Sequence, residues 1–152
     1  MPRIAVFTVE ELRDAPRPEY GHPVEVRFQD VDGAAIVFYS RFFEYFHDAF
    51  AGFLGHHGIS LAEAVRSGEW LAPLVHADAE YLSRLRFGDS AVVELVRAGI
   101  GRTSLRVGYR IVRGPERVVC AVGQTVHVVV DRQEWRPREV PAEVRLAFET
   151  LP

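Results

Sequence analysis

Lysine is missing altogether: across 152 residues all 18 basic side chains are arginine. That excludes Schiff-base chemistry and a P-loop lysine. Asparagine is absent too, so no asparagine supplies an oxyanion hole. A single cysteine, Cys120, rules out an intramolecular disulfide and a thiolate metal cluster, and points to a reducing compartment. No apolar run approaches the roughly 20 residues that a membrane-spanning helix needs, so no membrane insertion is expected. The opening Ile4-Ala5-Val6-Phe7 is too short for a signal-peptide core and acidic residues follow it, which makes a cytoplasmic protein the expectation. Basic excess is lacking as well. The 18 arginines face 21 acidic residues for a net charge of −3, which argues against nucleic acid as a partner. Scattered arginines still suit a small phosphorylated ligand, which needs two or three of them. Catalysis is left to Asp, Glu, His, Ser, Tyr, Arg or the backbone.

What is present is a normal globular composition, 48% hydrophobic, 26% charged and 11% aromatic. The length suits one domain over residues 1–152, large enough to bury about 68–70% of its unfolded surface. Residues 1–23 read as a lead-in. In it Thr8 and Glu11 form a capping box for a short helix that Pro16, Pro18 and Pro23 close off. Val24 to Phe28 alternates as a strand does. From Tyr39 to about His56 the period becomes helical. Phe42, Phe43, Phe46, Ala49, Phe50, Phe53 and Leu54 recur at three- and four-residue steps, and Gly55 and Gly58 mark the end. Ser60 with Glu63 opens a second, short helix that Gly68 closes.

Beyond Gly68 the period is two. Val75, Ala77, Ala79 and Tyr81 share one face, with His76, Asp78 and Glu80 on the other. Ala91 to Ile100, Ser104 to Val112 and Arg117 to Val130 follow as long strands. The short glycine-containing links at Gly99–Gly101 and Gly114–Pro115 make neighbours antiparallel. Pro141 opens a terminal helix with Val144, Leu146 and Phe148 as its apolar positions. The order predicts an α+β fold, one antiparallel sheet with a very apolar helix to cover it.

The segment that carries chemistry runs from Val26 to Tyr39. Asp30 and Asp32 leave the end of a strand, and a loop of small residues leads into the apolar helix. A helix entrance offers unpaired N–H groups and a positive dipole end. A carboxylate beside such donors can act on a carbonyl whose developing oxyanion those donors hold. Paired aspartates in such a loop also serve simply as turn formers and caps.

The stretch Phe28-x-Asp30-x-Asp32-x-Ala34-x-Ile36-Val37-Phe38-Tyr39 resembles the motif of the 4-hydroxybenzoyl-CoA thioesterase family of hotdog-fold acyl-CoA thioesterases. The likeness continues through Phe42 and the helix, through Pro73 and the strands, to Glu139-Val140-Pro141-Ala142, covering about residues 24–148. It implies a single hotdog domain, a long central helix wrapped by a five- or six-stranded antiparallel sheet. It also implies a thioester hydrolase releasing free acid and CoA, with no cofactor other than CoA as part of the substrate and no metal. The family's catalytic aspartate maps onto Asp32, and the N–H that polarises the thioester carbonyl maps onto Tyr39. The family's phosphate-holding basic residues map onto Arg136, anchored by the nearby Val140-Pro141-Ala142, and onto Arg102 with Ser104. Family members assemble as homodimers or homotetramers with the site at the interface. Three departures stand out. Gly33 and Ala35 replace the Pro and Gly that many members have after the catalytic aspartate, which moves the flexible point of the loop. Tyr39-Ser40 stands where the short-chain branch has Tyr-His, and Phe42 replaces a second tyrosine.

A thioester carbonyl is electrophilic and thiolate leaves readily, so one carboxylate suffices, either as nucleophile or as general base for water. The residues leave those two roles open, as they do the acyl group and the choice between CoA and a carrier protein. Asp30 reads as a loop organiser, His76 as a surface or interface residue, His56-His57 as a helix end, and Cys120 as a small buried apolar residue. The alternative to an enzyme is a non-catalytic protein that binds an acyl or polyketide thioester on the same fold. A hotdog dehydratase is more distant, since its helix-borne acid and loop histidine are not visible.

Overall fold

The computed structural model describes residues 5–152; Met1 to Ile4, the start of the lead-in, lie outside the described residues. The Thr8–Glu11 box is formed in full and caps α1 (Val9–Arg13). After it come β1 (Gly21–Glu25), α2 (Arg41–His56), α3 (Leu61–Ser67), β2 (Trp70–Leu71), β3 (Leu74–Tyr81), β4 (Ser90–Ile100), β5 (Ser104–Arg113), β6 (Val118–Val128), β7 (Val130–Asp131) and α4 (Ala142–Phe148). Five strands make one antiparallel sheet in the order β1-β4-β5-β6-β3, while β2 and β7 pair separately. None of the described helices is long and apolar enough to cross a membrane.

The sheet wraps α2. The helix turns Phe42, Tyr45, Phe46, Ala49, Phe50, Phe53 and Leu54 into the core, and each large side chain so buried contributes about 1.5–3 kcal/mol. Phe46 stacks on Tyr109 with ring centroids 4.8 Å apart. Gly123 makes room for it, since a Cβ there would stand 2.5 Å from the Phe46 ring. The phenylalanine stripe thus marks the buried face, with Tyr45 joining it and Phe43 only half-buried.

Three local expectations differ. The first strand covers Gly21–Glu25 rather than Val24 to Phe28, because Phe28–Asp30 turn into a 3-10 helix. The Arg27 N–H donates to the Asp30 carboxylate at 2.9 Å, which diverts the chain from the sheet. Pro23 is tolerated within β1 because β1 is an edge strand. The predicted Arg117–Val130 strand breaks after Val128, where β7 turns away to pair with β2. In α4, Val144, Ala147 and Phe148 are buried while Leu146 is exposed, since positions 144, 147 and 148 share a helical face that 146 does not.

The lead-in lies across the outer face of the sheet. Leu12 and Ala15 pack with Val96 and Val122. Gln124 bonds both the N–H and the carbonyl of Phe7, at 2.7 and 3.0 Å. Buried Arg110 pairs with Glu94 at 2.7 Å and donates to the carbonyls of Arg13 and Ala15. Arg117 takes the other Glu94 oxygen at 2.6 Å, so neither charge is left alone in the low-dielectric interior.

Candidate active site

The two aspartates of the loop occupy different surroundings. Asp30 is fully buried and takes a fork from Arg27, Nε at 3.2 Å and Nη2 at 3.0 Å, with Arg41 at 3.8 Å. Burial pushes its carboxyl up, but the hydrogen bonds from Arg27 outweigh that and hold it below the usual carboxylate range. The Tyr45 hydroxyl lies against the same carboxylate, and burial first, then its interaction with the Asp30 carboxylate, raises its pKa strongly. The Asp30 carbonyl accepts from the Phe38 N–H at 2.8 Å. Asp30 therefore organises the loop, as its place in the sequence implied.

Asp32 is exposed and heads a tight turn. Its N–H donates to the Ile36 carbonyl and its own carbonyl accepts from Ala35, both at 2.9 Å. Its Oδ1 accepts the N–H groups of Ala34 at 2.8 Å and Ile36 at 3.4 Å. Among the described residues Oδ2 has no partner, so one oxygen fixes the carboxylate and the other faces outward. The turn requires a left-handed residue at Ala35, φ 60°, while Gly33 is not among the positive-φ residues. The flexible point expected at Gly33 is thus not where the backbone needs glycine. The left-handed conformation is at Ala35.

Tyr39 sits just before α2, across the Val31–Val37 bridge from the Asp32 turn. Its carbonyl accepts from the Tyr81 hydroxyl at 3.0 Å, which ties the helix entrance to the end of β3. Among the described residues its N–H meets no acceptor, and Ser40 gives no side-chain cap. A cavity of about 340 Å³ opens here between Ile36, Val37, Tyr39, Phe42, Tyr81 and Leu85. Exposed Phe28, Phe38 and Phe87 stand around the same loop. Tyr81, read from sequence only as the last apolar position of a strand, is a neighbour of the helix entrance that alternation alone left unmarked.

Arg102, Ser104 and Arg136 lie together but far from Asp32. Arg102 is exposed in the β4–β5 turn, and its carbonyl accepts from Val140, which joins that turn to the segment before α4. Ser104 begins β5, opposite Val128. Arg136 is largely exposed, 3.7 Å from Glu134, with its carbonyl bonded to Asp131. All three stand at the end of the sheet where β4 and β6 finish, whereas the Asp32 loop bonds Leu85 and Phe87 just before β4 begins. Ten or so strand residues separate the two ends, about 30 Å. Within one chain the expected phosphate site and the expected catalytic aspartate do not meet.

His76 is half-buried and bonded to Asp78 at 2.7 Å on the edge strand. Cys120 is buried, and that burial raises its thiol pKa. Among the described residues no three His, Cys, Asp or Glu side chains gather as a metal ligand set.

Comparison with known proteins adds to this geometry. The description of the Thioesterase-like superfamily matches residues 26–148. The 1,4-dihydroxy-2-naphthoyl-CoA hydrolase of Nostoc punctiforme is 29% identical over 125 residues, 82% of this chain and 83% of that protein. The protein of the same name from Synechococcus elongatus is 28% identical over 121 residues, covering 79% and 88%. The crystal structure of a 1,4-dihydroxy-2-naphthoyl-CoA thioesterase from Synechocystis superposes with a TM-score of 0.80 at 25% identity, covering 85% of this chain and 94% of that one.

Proposed function

Because this chain belongs to the thioesterase-like superfamily and is an acyl-CoA thioester hydrolase of hotdog fold, we propose that Asp32 performs the hydrolysis at the entrance of α2. The observation that carries this assignment is that Asp32 Oδ2 and the Tyr39 N–H, on one loop at the entrance of α2, have no partner among the described residues. A thioester whose carbonyl oxygen faces the Tyr39 N–H meets the positive end of a 16-residue helix. The free Oδ2 of Asp32 then either adds to the carbonyl carbon or takes a proton from the water that adds. In both routes the carbonyl electron pair moves onto oxygen, where the N–H holds it. Collapse of the tetrahedral species expels the CoA thiolate, and the acyl group ends as free acid once water has supplied its hydroxyl.

Placement of the nucleotide completes the site only in an assembly. Among the described residues strand β3 pairs with β6 alone, and it exposes Leu74, Val75 and Tyr81. The opposite edge of the sheet, β1, carries Pro23 and lacks a donor there. Two copies joined through β3 about a two-fold axis would run antiparallel. The Tyr81 end of one, beside Asp32, would then abut the Leu74 end of the other. That end carries the partner's Arg102, the partner's Ser104 and the partner's Arg136, which would hold the CoA phosphates while the acyl group reaches Asp32. A homodimer is thus the smallest complete enzyme in this reading.

The experiment is CoA release from a panel of acyl-CoAs, wild type beside Asp32→Asn. Release by the wild type that the variant loses supports the assignment; acyl-CoA binding without any release would favour the alternative, a non-catalytic acyl-thioester-binding protein.

A further inference from the structure

The peptides around the Tyr39 N–H are pinned to the β3–β4 link, to the Asp30 turn and to β3. The Val37 N–H donates to the Leu85 carbonyl and the Phe38 N–H to the Asp30 carbonyl, both at 2.8 Å. The Tyr39 N–H shares its peptide with the Phe38 carbonyl, which accepts the Arg41 N–H at 2.9 Å. The next carbonyl, that of Tyr39 itself, is passed over by the helix. Phe43, four residues on, donates to Ser40 instead, at 3.2 Å. The Tyr39 carbonyl is met by the Tyr81 hydroxyl at 3.0 Å, and since a carbonyl only accepts, the phenol is the donor.

These bonds set both the strength and the direction of the free N–H. A peptide whose carbonyl already accepts a hydrogen bond is polarised, and its own N–H becomes the stronger donor. The Arg41 N–H does this for the Tyr39 N–H. Direction depends on what holds the helix entrance, and Tyr81 comes from the sheet. It ends β3 opposite Ala121 of β6, and its ring meets Phe42 edge-on with centroids 5.0 Å apart. Burial, and then the neighbouring Tyr39 phenol, raises the Tyr81 pKa, so the donor keeps its proton through the neutral range. One hydroxyl thus ties the entrance of α2 to a paired strand.

A donor that need not reorient as charge develops on the carbonyl oxygen favours the transition state over the ground state. Resting on the reading of Asp32 and Tyr39 above, we propose that Tyr81 is a positioning residue for the hydrolysis. Through the Tyr39 carbonyl its hydroxyl fixes the adjoining peptide and keeps the Tyr39 N–H aimed at the thioester oxygen. The phenol makes no bond to the substrate in this role. Tyr39 is exposed, so water can replace the hydroxyl and the fold survives its loss. Water does not join α2 to β3.

Tyr81→Phe removes the hydroxyl and keeps the ring against Phe42. On a panel holding acetyl-, octanoyl- and benzoyl-CoA, kcat should fall about tenfold for each thioester that the wild type hydrolyses, less than the loss of a whole oxyanion donor costs. KM should stay within about twofold, with an unchanged melting curve. Unchanged kcat overturns the proposal, and so does a change confined to KM, which would make Tyr81 a wall of the cavity. Backbone order parameters taken without substrate supply a reading independent of turnover. In the wild type Tyr39 and Ser40 should be as ordered as the body of α2, and in Tyr81→Phe they should fall below it. An entrance that stays rigid in the variant overturns the proposal, as does one that loosens with kcat intact. Turnover that survives Asp32→Asn but falls in Tyr81→Phe would overturn the role of Asp32 and keep that of Tyr81.

Discussion

Asp30 and Asp32 are separated by one residue and by the protein surface: the first has no exposed area and a guanidinium fork, the second is exposed and touches only loop N–H groups. The division assigns structure to one carboxylate and leaves the other available to a substrate. Arg27 and Arg41 neutralise Asp30, so its charge does not compete for the same incoming thioester.

Asp32→Asn keeps an Oδ1 for the Ala34 and Ile36 donors, so the turn should survive while the free oxygen loses its basicity and nucleophilicity. Turnover should fall by about two orders of magnitude or more with an unchanged melting curve. Near-normal kcat in the folded variant would remove Asp32 from the mechanism.

Asp30→Asn should destabilise the fold by about 1–3 kcal/mol near neutral pH, toward the lower end because Arg27 is half in solvent. The folded Asp30 titrates below its unfolded value, so its contribution is complete above about pH 4 and disappears as pH falls through the folded value. The deficit of the variant should accordingly be largest near neutrality and shrink in acid. Parallel denaturation series at neutral and acid pH measure it; a deficit that grows in acid would contradict the assignment.

Arg136→Ala should raise KM about tenfold with little change in kcat. The effect should vanish for a pantetheine thioester that lacks the nucleotide. Since Arg136 and Asp32 stand at opposite ends of one chain, mixing Arg136→Ala with Asp32→Asn protein should regenerate one intact site per mixed dimer. Measured at substrate well below KM, where the Arg136→Ala sites are slow, activity after co-refolding above that of the separately folded components supports the arrangement across subunits, and a mixture no better than its components argues against it. Sedimentation as a monomer at micromolar concentration would do the same.

Ala35→Gly should stabilise. A left-handed alanine costs roughly 1–2 kcal/mol and glycine returns about 0.5–1 of that in chain entropy, leaving a net gain of about 0.5–1 kcal/mol. Calorimetry should show Tm higher by about 2 °C. A lower Tm would mean that the turn relies on the Ala35 methyl group.

Much of the architecture was legible in local pattern. The phenylalanine spacing of α2, the Thr8 and Ser60 caps and the alternation of β3 to β6 are each written in a few neighbouring residues. Where tertiary partners decide, the reading slipped. Pro23 sits in a strand because that strand has one neighbour. Leu146 looked apolar enough for a core that the helix turns away from it. The motif pointed to Asp32 and Tyr39, but their distance from Arg136 follows from sheet topology, which no short motif contains.

The lead-in laid over the outer face of the sheet also orders events in time. Phe7 is bonded to Gln124, 117 residues later in the chain, and the Ala5 carbonyl to Arg106, 101 residues later. During synthesis this segment emerges well before the strands it will rest on, at a pace of about 5–20 residues per second. For several seconds Leu12 and Ala15 therefore have no sheet to cover. Closing so long a loop is a late step, taken after β4, β5 and β6 have found one another. The segment made early can be fastened only once those strands have paired, and its docking covers Glu94 and Arg110.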